Sequence, residues 1–244
     1  MFSDDYDMKI PKEKNVKYEK AKNLTPRKIK AKGIKKAYED DVEFVCFVDS
    51  DDFMNPKRIE ILKKYFIRNN VDILIHNLNT VDVNGNIINE NIFEFDKEYT
   101  NRFYWEKNNS GFGNTVYKTN LIYNLLPFPK NTFSLDWEVI FMLSLENDIF
   151  TLDKSLLNYR QHRSNVTGIN KKLNKKQMID FLKKRSLHYE ALKKRYYNNR
   201  KTYAILDYLY EKNNEIVIEA NSDMNSFLRK YNKKSDELIW WELP

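Results

Sequence analysis

Residues 42–56, VEFVCFVDSDDFMNP, narrow the folds open to this chain more than any other stretch. Val42, Phe44, Val45, Phe47 and Val48 form an apolar run, and residues 43–48 read as a buried strand. Pro56 and the following KRIEILKKYFIR, with Ile59, Leu62 and Phe66 on one stripe, read as a helix. VDILIHNL, residues 71–78, is a second apolar strand. Strand, helix, strand in that order predicts an α/β sheet with a helical crossover. Ligands of such a sheet sit beyond the carboxyl ends of its strands. Asp49, Asp51 and Asp52 occupy that place, immediately after the first apolar run.

The remaining pattern extends this unit on both sides. Thr25 to Tyr38 predicts a helix, with Pro26 in the first turn and Ile29, Ile34 and Ala37 on a partial apolar face. TVDVNGNIIN (80–89) predicts a hairpin, because Asn84-Gly85 suits a turn that needs positive φ. Residues 91–113 read as loop-rich, and 114–119 as a short strand. Residues 136–147 read as a mostly buried helix, and 149–162 as two short strands or a strand and a turn. After Gly168 the pattern becomes helical and rich in Lys, Tyr and Asn, with Leu182, Leu187, Leu192, Tyr189 and Tyr196 on apolar faces. The expected organisation is an α/β domain over residues 1–170 and a basic helical extension over 171–244.

Composition bounds the function classes. A chain of 244 residues that is 41% hydrophobic can bury a sizeable core, which excludes disorder over its whole length. A net charge of +7 favours anionic partners. Cys46 is the only cysteine, so no internal disulfide can form. No apolar stretch is long enough to span a bilayer, and MFSDDYDMKI lacks the shape of a signal peptide. The expected location is the cytoplasm, with peripheral contact at the inner face of the membrane through the basic tail. Lysines interleaved with tyrosines there would also suit single-stranded nucleic acid, although no nucleic-acid partner is expected. Trp240 and Trp241 near the C-terminus need a docking surface of some kind.

Three carboxylates within four positions repel one another, and a divalent cation relieves that repulsion. Mg²⁺ or Mn²⁺ prefers carboxylate oxygen and completes its shell with water and substrate phosphates. Asp49 and Asp51 could therefore hold a metal bound to a diphosphate, with Asp52 as accessory ligand or turn residue. The alternative is a helix N-cap and solvated turn before PKRIEIL. The DSD also resembles the motif of phosphohydrolases that form an aspartyl-phosphate, but Asp52-Phe53 replaces the small residue and Thr that continue it there.

FVDSDDFMNPKRIEIL resembles the Asp-x-Asp region of the family 2 glycosyltransferases, which have the GT-A fold. LLPFPKNTFSLDWEVIFMLSLENDIFTLDKSLLNYRQHRSNVTG, residues 125–168, resembles the later half of the same family, particularly its rhamnosyltransferase-like members. The resemblance covers about residues 1–168. It implies a GT-A mixed sheet with flanking helices and an inverting, metal-assisted transfer. The sugar would pass from a nucleotide-sugar donor to a saccharide or lipid-linked saccharide, as in cell-envelope polysaccharide assembly. Asp49 and Asp51 would contact the metal and the donor diphosphate or ribose. Asp136 would be the base that deprotonates the acceptor hydroxyl, though it could simply cap its helix. Trp137 would lie on the acceptor side or in the core, and Glu138 on solvated surface. His162 would meet the metal or the diphosphate, or be structural. Arg160 would pair with phosphate or with a carboxylate, and Asn165 and Thr167 would form turns.

The chain also departs from that family. FSDDYD (2–7) resembles the end of the family's second strand, which would place Asp4 and Asp5 near the nucleotide. A solvated tail is the other reading of those two residues. The family's first strand and helix are expected to be missing, which would leave a sheet edge open for a second copy or another chain to cover. In IKAKGIKKA (29–37), Lys30 and Ala31 replace Arg and Asn, so Lys30 would meet a phosphate as a point charge or remain a solvated lysine. Met142 stands where an arginine is frequent. These departures keep a second function open, that of an inactive remnant serving as a basic binding module.

Overall fold

The computed structural model describes residues 2–3, 16–95, 101–130, 132–162 and 172–234. Two short strands, β1 (Phe2–Ser3) and β2 (Glu19–Lys20), pair in parallel. Helix α1 (Pro26–Glu39) follows. Thr25 is its N-cap, accepting from the Lys28 N–H, and Pro26 opens the first turn. Strand β3 (Phe44–Cys46) leads through the aspartate turn to β4 (Phe53–Met54) and helix α2 (Arg58–Asn69). Strand β5 (Ile73–Val81) and β6 (Ile87–Asn89) form the expected hairpin, with Gly85 at φ 89° supplying the left-handed turn residue. Helix α3 (Phe103–Glu106) lies within the stretch read as loop. Strand β7 (Thr115–Lys118), helix α4 (Thr119–Tyr123), helix α5 (Leu135–Ser144) and strand β8 (Phe150–Arg160) complete the α/β part. Helices α6 (Lys175–Arg195), α7 (Arg200–Ser222) and α8 (Met224–Lys234) follow.

The main sheet runs β3-β7-β5-β8-β4, with β6 added beside β5. β7 is antiparallel to both β3 and β5, and β5 is parallel to β8. The carboxyl ends of β3, β5 and β8 therefore point to one edge of the sheet, and β7 begins there. Alternation sorts the side chains between two faces. Leu74 and Val116 join Leu62 and Phe66 of α2 on one face. Ile73, Ile75 and Tyr117 join Ile34 of α1, Ile122 of α4 and most of α5 on the other. Tyr189 and Leu192 of α6 and Leu206 and Leu209 of α7 belong to that same cluster. Helix α5 is thus enclosed between the sheet and the C-terminal helices. That is why it is apolar on nearly every side.

Several expectations change here. The first strand is not fully buried. Among the described residues β3 pairs on one side only, Phe44 to Cys46 are half-buried, and Val42 and Val48 are exposed. Ile59 faces solvent, and Arg58 is the buried residue at the start of α2 alongside Leu62 and Phe66. Leu187 is exposed as well. Residues 149–162 hold one long strand, because β5 offers a partner along nearly its whole length. No described helix is long and apolar enough to cross a membrane.

Candidate functional site

The aspartate turn starts at the β3 edge of the described sheet and ends at the opposite one. β3 closes at Cys46, the Asp52 N–H donates to the Asp49 carbonyl at 3.1 Å, and β4 then pairs with Leu157 and Asn158 of β8. The turn therefore passes over the ends of the parallel strands, as their order requires. It does not cap α2, whose N-cap is Lys57, so the capping alternative for Asp52 falls away.

Each aspartate has its own partner. Asp49 Oδ1 lies 2.8 Å from the Lys30 ammonium. Asp51 Oδ2 lies 2.8 Å from His162 Nε2, just past the end of β8. Asp52 Oδ1 accepts the Arg160 backbone N–H at 2.9 Å. Burial, reinforced by the neighbouring Asp51 and Asp49 charges, pushes the Asp52 carboxyl up to about 7, against the Arg160 N–H and the Lys30 charge. The Arg160 guanidinium sits 4.3 Å from the Phe53 ring centroid, so Phe53 is one contact of its side chain.

Lys30 is not the solvated lysine that its helix composition suggested. Its side chain is only 16% exposed, and its ammonium lies 5.5 Å from the Phe47 ring and 4.9 Å from the Phe112 ring. Its charge also acts on Asp52 and on Asp136, lowering both against the effect of burial. One cation on α1 thus links the aspartate turn with the carboxylate at the start of α5.

Ser134 is the N-cap of α5, not Asp136. Ser134 Oγ donates to Asp136 Oδ1 at 2.5 Å, and the Trp137 N–H reaches the same oxygen at 3.2 Å. Asp136 Oδ2 takes part in neither of these two bonds. Burial raises the Asp136 carboxyl above the ordinary carboxylate range. Trp137 is 1% exposed and offers no surface to an acceptor. Its indole N–H donates to the Tyr104 carbonyl, and its ring stacks on His188 of α6 with centroids 4.7 Å apart. Glu138 is likewise internal, contrary to the solvated reading. Its Oε2 lies 2.8 Å from Arg27 Nη1 and accepts from the Thr132 hydroxyl. Met142 is buried in the core.

Two residues support the turn that sequence patterning did not single out. Arg58 is fully buried and donates to the Phe47 carbonyl at 3.0 Å and to the Gly113 carbonyl at 2.6 Å. It fastens the residue that enters the aspartate turn to the loop that enters β7. Gly113 has no room for a side chain: a Cβ there would stand 2.8 Å from Leu157 Cδ2 and 3.7 Å from Asp52 Oδ2. The one sequence signal for Arg58 was a charged residue in the first turn of a helix whose neighbours are apolar.

The donors for a cation are Asp51 Oδ2 and His162 Nε2, which converge from the turn after β3 and from the end of β8 at one end of the sheet. Asp49 is held by Lys30, and no three metal-binding side chains cluster among the described residues. Two protein groups with the remaining positions left to water and substrate oxygens suit Mg²⁺ or Mn²⁺, which dehydrate reluctantly. Asp4, Asp5, Asn165, Thr167, Trp240 and Trp241 lie outside the described residues.

Residues 6–126 match the family model described as glycosyl transferase family 2. Solved structures that match this chain in part include S. aureus TarS 1–349 in complex with UDP-GlcNAc, at 19% identity and TM-score 0.47 over 77% of this chain and 58% of that one. TarS 1–349 alone gives 22% identity and TM-score 0.45 over 77% and 56%, and its UDP complex 20% and 0.45 over the same shares. This chain spans under two thirds of the length of those structures. No curated protein sequence gives a significant match.

Proposed function

Residues 6–126 belong to glycosyl transferase family 2, and from that premise we propose that the chain transfers a sugar from a nucleotide-sugar to a saccharide or lipid-linked saccharide, inverting the anomeric carbon. The observation that carries this reading is the placement of Lys30, which ion-pairs with Asp49 and acts on Asp136 from the same helix. Two carboxylate groups with different tasks thereby share one electrostatic site, as transfer chemistry needs.

Asp136 Oδ1 is fixed by Ser134 and the Trp137 N–H, which leaves Oδ2 to take the acceptor hydroxyl proton. Its burial makes it a better base than a surface carboxylate. As the proton moves to Oδ2, the acceptor oxygen bonds to the anomeric carbon. The bond from that carbon to the diphosphate breaks, and its electron pair leaves with the diphosphate. Lys30 meets the departing negative charge as a point cation. A Mg²⁺ or Mn²⁺ ion, held by Asp51 and His162 with Asp49 beside them, would neutralise charge on the diphosphate. Asp52 and Arg160 keep the turn in place. The side of β3 that has no strand partner among the described residues suits cover by a second copy of the chain.

A second reading rests on the pairing of the aspartates. Asp49 with Lys30 and Asp51 with His162 are satisfied without any ligand, as in a binding module that has lost catalysis. Calorimetric titration of UDP, GDP, dTDP and CDP, with and without Mn²⁺, separates the two. The transferase reading expects Mn²⁺-dependent binding of one nucleotide, lost in Asp51→Ala. Silence across the panel in folded protein would sink it in favour of the binding module.

A further inference from the structure

We infer that the outward face of α6 is a docking surface for a membrane with anionic headgroups. The inner face of this helix, including Met178, Leu182, Tyr189 and Leu192, is buried. The opposite stripe, at helical spacing, carries Lys176, Ile179, Lys183, Leu187 and Lys194. The three lysines are exposed and have no ion pair among the described residues. Ile179 and Leu187 between them are 48% and 42% exposed. Apolar side chains flanked by long cationic ones are the arrangement of an interfacial helix, which buries the former at the headgroup boundary while the latter reach the phosphates.

Helix α7 carries exposed Asp207, Glu211, Glu215 and Glu219, of which Asp207 pairs with Lys193 of α6 and Glu219 with Lys230 of α8. The acids nearest the α6 stripe are otherwise engaged: Asp180 pairs with Lys184, and Glu190 is half-buried and accepts from the Tyr210 hydroxyl. Helix α8 extends the basic side. The Asn232 side chain bonds both the N–H and the carbonyl of Leu173, which brings exposed Arg229 and Lys233 towards the start of α6. A membrane fits this face better than nucleic acid does. The stripe exposes aliphatic side chains and no aromatic ring, whereas single-stranded nucleic acid is held by stacking on aromatic rings as well as by charge.

The inference stands apart from the proposed reaction, because vesicle binding requires neither donor nor acceptor. The test is co-sedimentation of the full chain with phosphatidylglycerol–phosphatidylcholine vesicles and with phosphatidylcholine alone. Binding is expected only to the anionic vesicles and should weaken as salt rises. Lys176→Gln and Lys183→Gln should each lower the partition coefficient roughly fivefold. Ile179→Ser should lower it too, while Lys63→Gln on α2 should leave it unchanged, with helix content checked by circular dichroism. Absence of binding to anionic vesicles, or loss equal in Lys63→Gln and Lys183→Gln, overturns the inference. So does tight binding of a labelled oligoribonucleotide that depends on the same lysines but ignores Ile179→Ser, which would assign the face to nucleic acid.

Discussion

Arg58 makes no contact with the proposed reactants, yet it fixes where the aspartate turn begins. Its guanidinium is buried and bonds only to the carbonyls of Phe47 and Gly113 among the described residues, so those two carbonyls define its position. Arg58→Met should remove both bonds and cost roughly 1–3 kcal/mol, read as a lower denaturation midpoint at unchanged slope. Because the turn loosens, the Mn²⁺ concentration needed for nucleotide binding should rise in the same variant. Asp136→Asn should behave differently. It keeps an acceptor for the Ser134 hydroxyl but cannot take a proton. The turnover number should fall roughly 10²–10⁴-fold, while the nucleotide dissociation constant stays as it was. At this scale the sequence revealed the residues whose chemistry is intrinsic. Asp49 and Asp51 could be singled out from a cluster of carboxylates after an apolar run, whereas Asp136, Lys30 and His162 were singled out through the family resemblance. Arg58 was overlooked, Glu138 was misjudged and Trp137 was left between acceptor side and core, because their roles depend on burial. Glu138 was read as surface, and the structure places it against Arg27, which is 111 positions away.

Among the elements, helices were easier to read than strands. A helix closes its own hydrogen bonds, so caps and periodicity within one segment suffice to find it. Thr25 and Pro26 marked the start of α1 for that reason. A strand is bounded by its partners. β8 runs unbroken over Phe150–Arg160 because β5 lies beside it, and β3 is short and half-exposed because, among the described residues, it is paired on one side only. Neither fact is local to the segment concerned. Helix α6 carries a device whose cost can be measured. Asn174 and Gln177 form a reciprocal capping box, each side chain accepting the other's backbone N–H at 2.9 Å. Asn174→Ala should destabilise the protein by about 1 kcal/mol, visible in thermal unfolding.

The whole molecule buries two neutral histidines on different elements, and each should withdraw stability in mild acid, against the opposite contribution of the raised Asp52 and Asp136 carboxyls. Burial and the Arg58 charge hold His76 down to about 3, and burial with the Arg185 and Arg27 charges does the same to His188. Both titrate near 6.5 when the chain unfolds. Between pH 6.5 and about 3 the unfolded state therefore binds more protons at these two sites, so their contribution to stability falls as pH falls. The slope should be about 1.4 kcal/mol per pH unit for each histidine once the pH is well below 6.5. Denaturant titrations of the chain and of His188→Gln across pH 4–7 would check this, with the variant expected to show the shallower decline.

The stack of Trp137 on His188 has a consequence for observing the site at a distance. Asp136 is bonded next to that indole, and the indole is held against the middle of α6. Any molecule that immobilises the start of α5 also steadies the surface on which α6 rests. Amide protons around Ser186–Leu192 should then exchange with deuterated solvent more slowly when the acceptor side is filled. Occupancy near the base could thus be followed from helix α6, without a label in the site itself.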